Sequence, residues 1–163
     1  MDFSWIYSIN HQLATFLLAM LPIFELRASI PIALENFHLP VWQAFSLSVL
    51  GNIIPAILII YFVGPISEWL SRFRALKKFF TWLFERTRNR FDDKYRLWGK
   101  IALMIFVAIP LPMTGAWTGA LAAWLFGIDK KGAIIYVSLG VIIAGILVTL
   151  ISLGIFKIFE FLL

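Results

Sequence analysis

A chain of 163 residues allows one modest domain, and at 61% hydrophobic residues with a mean hydropathy of +0.91 this one is too apolar for a soluble domain of its size. It reads as an integral membrane protein, a single membrane domain over residues 1–163. The absence of cysteine excludes disulfides, thiolate metal sites and cysteine nucleophiles, and the net charge of +5 gathers in one segment rather than spreading over a surface.

The charges mark out the segments, because residues 3–24, 36–67, 101–128 and 132–156 contain no Asp, Glu, Lys or Arg. Each run is long enough, at about 20 residues per crossing, to enter or span a bilayer. The first 26 residues contain no Lys or Arg and no small-residue cleavage site follows the first run, so no secretory signal is evident and the N-terminus is expected to be retained. That run ends in FELRASIP, where Glu25 and Arg27 stand between Pro22 and Pro31. Pro31 removes a backbone donor from the Arg27 carbonyl, and residues 13–38 read as a broken, re-entrant hairpin that is non-helical for part of FELRASIP. Residues 42–63 read as a spanning helix.

Residues 66–100 hold ten of the fourteen Lys and Arg against four acids, a surplus of +6. By the positive-inside tendency this segment is expected on the cytoplasmic side, holding to anionic lipid. Ile66, Trp69, Leu70, Phe73, Leu76, Phe80, Leu83 and Phe84 recur at helical spacing, so residues 65–100 read as an amphipathic helix lying in the interface. Nucleic acid, the other usual partner of a basic run, is not expected between apolar segments.

The 28 uncharged residues from Ile101 would make a straight helix of about 42 Å, longer than the roughly 30 Å hydrocarbon core. IPLPMTGAWTG breaks it: Pro110 and Pro112 deprive the carbonyls of Phe106 and Ala108 of their helical donors, and Gly115 follows. Residues 101–127 therefore read as a second hairpin and residues 133–156 as a second spanning helix. Residues 39–59 laid over 128–148 match at seven of 21 positions, Gly51 on Gly140 among them, and a shift of 88 lays Pro22 on Pro110. The expected fold is all-α: repeat one over 13–63 and repeat two over 101–156, each a re-entrant hairpin plus a transmembrane helix. Orientation by charge makes the repeats inverted copies, with hairpin one entering from outside and hairpin two from inside.

An ionised side chain at bilayer depth costs about 2.5 to 3.5 kcal/mol, so Glu25 and Arg27 need partners or water. Arg27, always charged and five-donor, suits an anionic headgroup, and Glu25 can carry a proton. Alternatively the two lock the hairpin tips together with Thr114, Thr118 and the freed carbonyls, and the residues leave both readings open. Asn52 sits mid-helix beside Gly51 and Pro55; Gly115 and Gly119 form a small face for close packing; Trp117 is either a substrate wall or filling. No Walker loop, GxGxxG, GxSxG or HExxH motif occurs, so neither a cofactor nor a metal is expected.

FELRASIP, LPVWQAF, LGNIIP, the basic WLFERTRNRF and FVAIPLPMTGAWTGALAAWLFGI, in that order over roughly residues 20–155, resemble the small multi-drug export protein family, prokaryotic membrane proteins related to the DedA/VTT superfamily. The resemblance implies opposed re-entrant hairpins in a prokaryotic plasma membrane and proton-coupled movement of a lipid or amphiphile. It rests on Glu25, Arg27 and Pro31 in the first motif and on Pro110, Pro112, Thr114, Gly115, Trp117, Thr118 and Gly119 in the second. The chain departs from the pattern at Ala28 and Met113, where glycines are common, and in having no charge in hairpin two, where the second DedA motif carries an arginine. The function expected is a small secondary transporter or flippase. Its substrate would be a lipid or amphiphile, of which an anionic, phosphate-bearing one fits Arg27, and homo-oligomers are left open. An intramembrane lipid-phosphate enzyme and a membrane scaffold are the alternatives, the enzyme lacking a nucleophile with a base, since His11 and His38 sit near the outer surface.

Overall fold

The computed structural model describes residues 10–72, 96–111 and 114–162, and every regular element among them is helical. In chain order these are α1 (His11–Met20), α2 (Glu25–Glu35), α3 (Val41–Leu70), α4 (Arg96–Ala108), α5 (Ala116–Leu125) and α6 (Lys130–Leu162). Of the basic segment expected over 65–100, residues 73–95 lie outside the described residues, as do Pro112 and Met113.

Two of these helices, α3 and α6, are long and apolar enough to cross a membrane. Their patterning is the reverse of a soluble helix. On α3 most inward positions are small or polar (Ala44, Ser48, Gly51, Asn52, Ala56), with Val49, Pro55 and Ile60 among them, while Leu50, Ile54, Leu58, Phe62 and Trp69 lie outward. On α6, Ala133, Val137, Val141, Ala144 and Thr149 face in, and Ile135, Leu139, Ile146 and Leu150 face out. In lipid no hydrophobic force draws helices together, so small inward residues that permit close backbone approach and an oily exterior are what association requires. Taken with this pattern, the two apolar helices make the chain a membrane protein.

The remaining helices are short and come in two broken pairs. Residues 21–24 interrupt α1 and α2, and the stretch between Ala108 and Ala116 interrupts α4 and α5. The long helices pack on each other; α1 lies against α3 and α4 against α6, while α2 and α5 each lie against both long helices. The core between them includes Leu26, Ile30, Val107, Val137 and Val141.

The helix boundaries depart from the sequence reading in one instructive way. FELRASIP is helical from Glu25 onward, and Pro31 lies inside α2 rather than ending it. A proline in a membrane-embedded helix is tolerated because neighbouring groups can satisfy the carbonyl it deprives, and α3 likewise runs through Pro55 and Pro65. The non-helical part of FELRASIP is therefore limited to its start, where Phe24 lies in the turn that precedes α2. Within α2 the irregularity is confined to Glu25, whose φ of 48° is left-handed.

Glycines set the tightest crossings, and they do so twice in the same way. A Cβ on Gly51 would strike the carbonyl oxygen of Phe16 and come within 2.9 Å of the Ala19 Cβ; on Gly140 it would come within 2.8 Å of the Met104 carbonyl oxygen and 2.7 Å of the Val107 Cβ. Phe16 and Ala19 shifted by 88 become Met104 and Val107, so α1 crosses α3 as α4 crosses α6. Because the obstacle at Gly51 is backbone, Gly51→Ala is expected to cost about 1–3 kcal/mol. The apparent melting temperature in detergent should fall, whereas Gly154→Ala, with nothing within 4 Å of the added atom, should leave it in place. Equal melting of the two variants would disprove the tight crossing.

At one end of the bundle the α4 and α6 starts are tied by Lys100 Nζ and Asp129 Oδ1 at 2.5 Å. Asp129 also caps α6, its Oδ2 accepting from the Gly132 N–H at 2.8 Å. The Lys100 hydrogen bond first, and the Gly132 N–H after it, hold the Asp129 carboxyl below the usual carboxylate range.

Candidate functional site

The first turn of α5 has no cap of its own, because Gly115 at the N-cap position has no side chain. The carboxylate of Glu25, reaching across from the start of α2, takes that place. Its Oε1 accepts from the Trp117 N–H at 3.4 Å, and the Ala116 N–H also donates to the carboxylate. Glycine is required at position 115 for this: a Cβ there would fall on the carboxylate itself. A negative group at a helix N-terminus is the arrangement the helix dipole favours, and Glu25 is only 5% exposed, so little water screens it.

Arg27 serves the other side of the same break. Its guanidinium donates to the Leu111 carbonyl and, at 3.2 Å, to Thr114 Oγ1. Thr114 Oγ1 lies 2.7 Å from the Ile109 carbonyl oxygen and 2.8 Å from that of Leu111, and its single hydrogen can serve one of them at a time. The two charges of α2 therefore divide the labour: the acid takes the N–H groups that open α5, and the base holds the Leu111 carbonyl and the Thr114 hydroxyl beyond the end of α4. They stand 3.9 Å apart at Arg27 Nη2 and Glu25 Oε2, close enough to neutralise each other in a medium of low polarity.

Glu25 and Arg27 with Asn52, Val107, Gly115, Ala116, Val141 and Ala144 line a narrow cleft between the two halves. Of the other residues singled out in the sequence, Thr118 donates to the Gly115 carbonyl at 3.1 Å and Gly119 receives Val107, whose Cγ2 occupies the space of a side chain there. Pro110 lies just beyond α4 and ends it; Pro31 sits in α2 one turn past Arg27. Trp117 contributes its backbone N–H, and its buried indole Nε1 has no hydrogen-bond partner among the described residues. Pro112 is outside the described residues.

Two contributions escaped the sequence reading. The Leu111 carbonyl is a backbone group and carries no signal in the residue type. Ser29 donates to Ser48 Oγ at 2.7 Å with both side chains fully buried, a tie between α2 and α3. Ser29 follows Glu25 by four residues and Ser48 precedes Asn52 by four, but nothing in the residue types links the two serines before the helices are aligned. A second, wider cleft of about 200 Å³ lies between α3 and the α5–α6 turn, lined by Gly64, Trp124, Asp129 and Lys130 among others.

Two long apolar helices, with two broken pairs of shorter helices that meet through one acid and one base, define a class of membrane proteins with discontinuous helices. Within that class the chain has a family. Residues 25–147 match the model of the family described as "Putative small multi-drug export protein", and the chain belongs to it. The family name points to export across a membrane. No curated protein and no solved structure matched the chain.

Proposed function

We propose that the protein is a small proton-coupled transporter or flippase of the plasma membrane, with Glu25 as its proton carrier and Arg27 as its contact with an anionic headgroup on a lipid or amphiphile. The observation that carries this reading is the placement of Glu25, a buried carboxylate in a membrane protein that holds the two halves together through a helix N-terminus. Protonation removes the charge on which that hold depends. The α5 N–H groups and the guanidinium, released from each other, are then donors available to a phosphate or carboxylate. The Trp117 indole N–H, which has no acceptor among the described residues, adds another donor on the first turn of α5.

Alternating access of this kind asks for two halves that move against each other. The repeated crossing at Gly51 and Gly140 supports an internal repeat, and the inverted, re-entrant arrangement is the form that places the basic residues 66–100 at the cytoplasmic face beside anionic lipid. The charged link of Lys100 with Asp129 would then lie at that face.

The test follows transbilayer movement of a fluorescent short-chain polyprenyl phosphate in liposomes containing the purified protein, with and without a pH gradient. Movement by the parent is expected to depend on the gradient, and Glu25→Gln to reduce it about tenfold or more, the equivalent of at least one lost interaction of about 1.4 kcal/mol. Gradient-independent movement that survives Glu25→Gln would refute the proton-carrier role.

A further inference from the structure

The buried amide of Asn52 is the one polar side chain of the cleft that the mechanism above does not use. Asn52 is 1% exposed, and its Oδ1 has no hydrogen-bond donor among the described residues. A buried acceptor without a donor is costly, and in a membrane interior there is little else to satisfy it.

The register of α2 on α3 shows which donor can reach it. These helices are joined by the short loop 36–40 and pack on each other as antiparallel neighbours. The Ser29–Ser48 hydrogen bond fixes how they are aligned. One turn back along α2 from Ser29 is Glu25, and one turn on along α3 from Ser48 is Asn52, so the same alignment sets Glu25 opposite Asn52. Both line the same cleft. The groups facing Glu25 there are Arg27 from α2, the N–H groups of Ala116 and Trp117 from α5, the amide of Asn52 from α3, and only the apolar Val141 and Ala144 from α6. Arg27 is the single charged neighbour among the residues lining the cleft.

We infer that Asn52 is the hydrogen-bond acceptor for the protonated form of Glu25. Ionised, the Glu25 carboxylate accepts from the first N–H groups of α5, as it does in this structure. After one proton is taken up from the aqueous side, the new O–H donates to Asn52 Oδ1, and the N–H groups lose their anionic cap. Only an O–H bond forms, and its breaking returns the proton to water. Asn52 is thus a positioning residue: it gives the proton-bearing state a partner and turns the side chain from one half of the protein towards the other. The inference rests on the proposed role of Glu25 as proton carrier and adds where the proton points.

The experiment is an infrared titration of the full chain in lipid vesicles, following the C=O stretch of protonated carboxylic acids with pH. The band lost in Glu25→Gln is assigned to Glu25. In Asn52→Leu, close to Asn in volume but without an acceptor, that band is expected at higher wavenumber. Its titration midpoint is expected about half to one pH unit lower, because the neutral form has lost the bond that favoured it. Asn52→Ala makes the same test if Asn52→Leu does not fold. An unmoved band and midpoint overturn the inference, as does the absence of any titrating band that Glu25→Gln removes. The readout needs no substrate, so a moved band without proton-coupled transport would overturn the transport reading and leave this one standing.

Discussion

Arg27→Ala is expected to destabilise the folded protein by about 3 kcal/mol, the lower end of what breaking a buried ion pair costs, because the Arg27 side chain keeps 22% exposure. The loss has two parts. Glu25 is left as an uncompensated buried anion, and the Leu111 carbonyl and Thr114 lose their shared donor. The measurement is thermal unfolding in detergent, followed by the monodisperse fraction on size exclusion. Arg27→Lys should recover only part of the loss, since one ammonium cannot fork between a carbonyl and a hydroxyl as a guanidinium does. Adding Glu25→Gln to Arg27→Ala should recover the part of the loss that comes from the unpaired anion, because the amide can still accept from the Trp117 N–H, while the Leu111 carbonyl and Thr114 stay without their donor. Parent-like melting of Arg27→Ala would mean that the pair holds nothing together.

Gly115→Ala should match the functional effect of losing the carboxylate, although Glu25 itself is untouched. The added methyl occupies the place of the Glu25 carboxyl group, so that group must leave the start of α5. We expect a loss of about 1–3 kcal/mol from overpacking and the open helix end, together with transport that no longer responds to a pH gradient. The double variant Gly115→Ala with Glu25→Ala separates this from a general intolerance of alanine. With the carboxylate gone the methyl has room, and the pair should be more stable than the sum of its single effects predicts. Additive effects would show that the carboxylate does not sit on Gly115.

The sequence makes the main features of this arrangement legible where they depend on residue type. Charge-free runs mark the two long helices, Pro110 and Gly115 mark the break between α4 and α5, and the glycine match at 51 and 140 marks a crossing that recurs in space. The helicity of FELRASIP was not legible, because Pro31 has the same signature whether a neighbour compensates for it or not. Nor was the division of labour between Glu25 and Arg27. On a regular helix a spacing of two residues would point them apart, yet their charged groups stand 3.9 Å from each other, and most of the groups they reach are backbone N–H and carbonyl groups, which every residue carries. Ser29 and Ser48 look in the sequence like ordinary small residues of tightly packed helices, and only their alignment across α2 and α3 gives them meaning.

The left-handed backbone of Glu25 gives this contact a mechanical side. A non-glycine residue at a φ of 48° holds of order 1–3 kcal/mol and persists only while its surroundings oblige it to. Here two contacts surround it: the Glu25 N–H donates to the Leu21 carbonyl at 2.9 Å, and the side chain reaches the first turn of α5. Were the carboxyl group released, as the proposed proton uptake requires, residue 25 would have one fewer contact opposing the right-handed conformation of the rest of α2. The unusual torsion and the contact across the break thus fall on one residue, so a spectroscopic probe of the residue 25 backbone should report whether the carboxyl group is docked on α5.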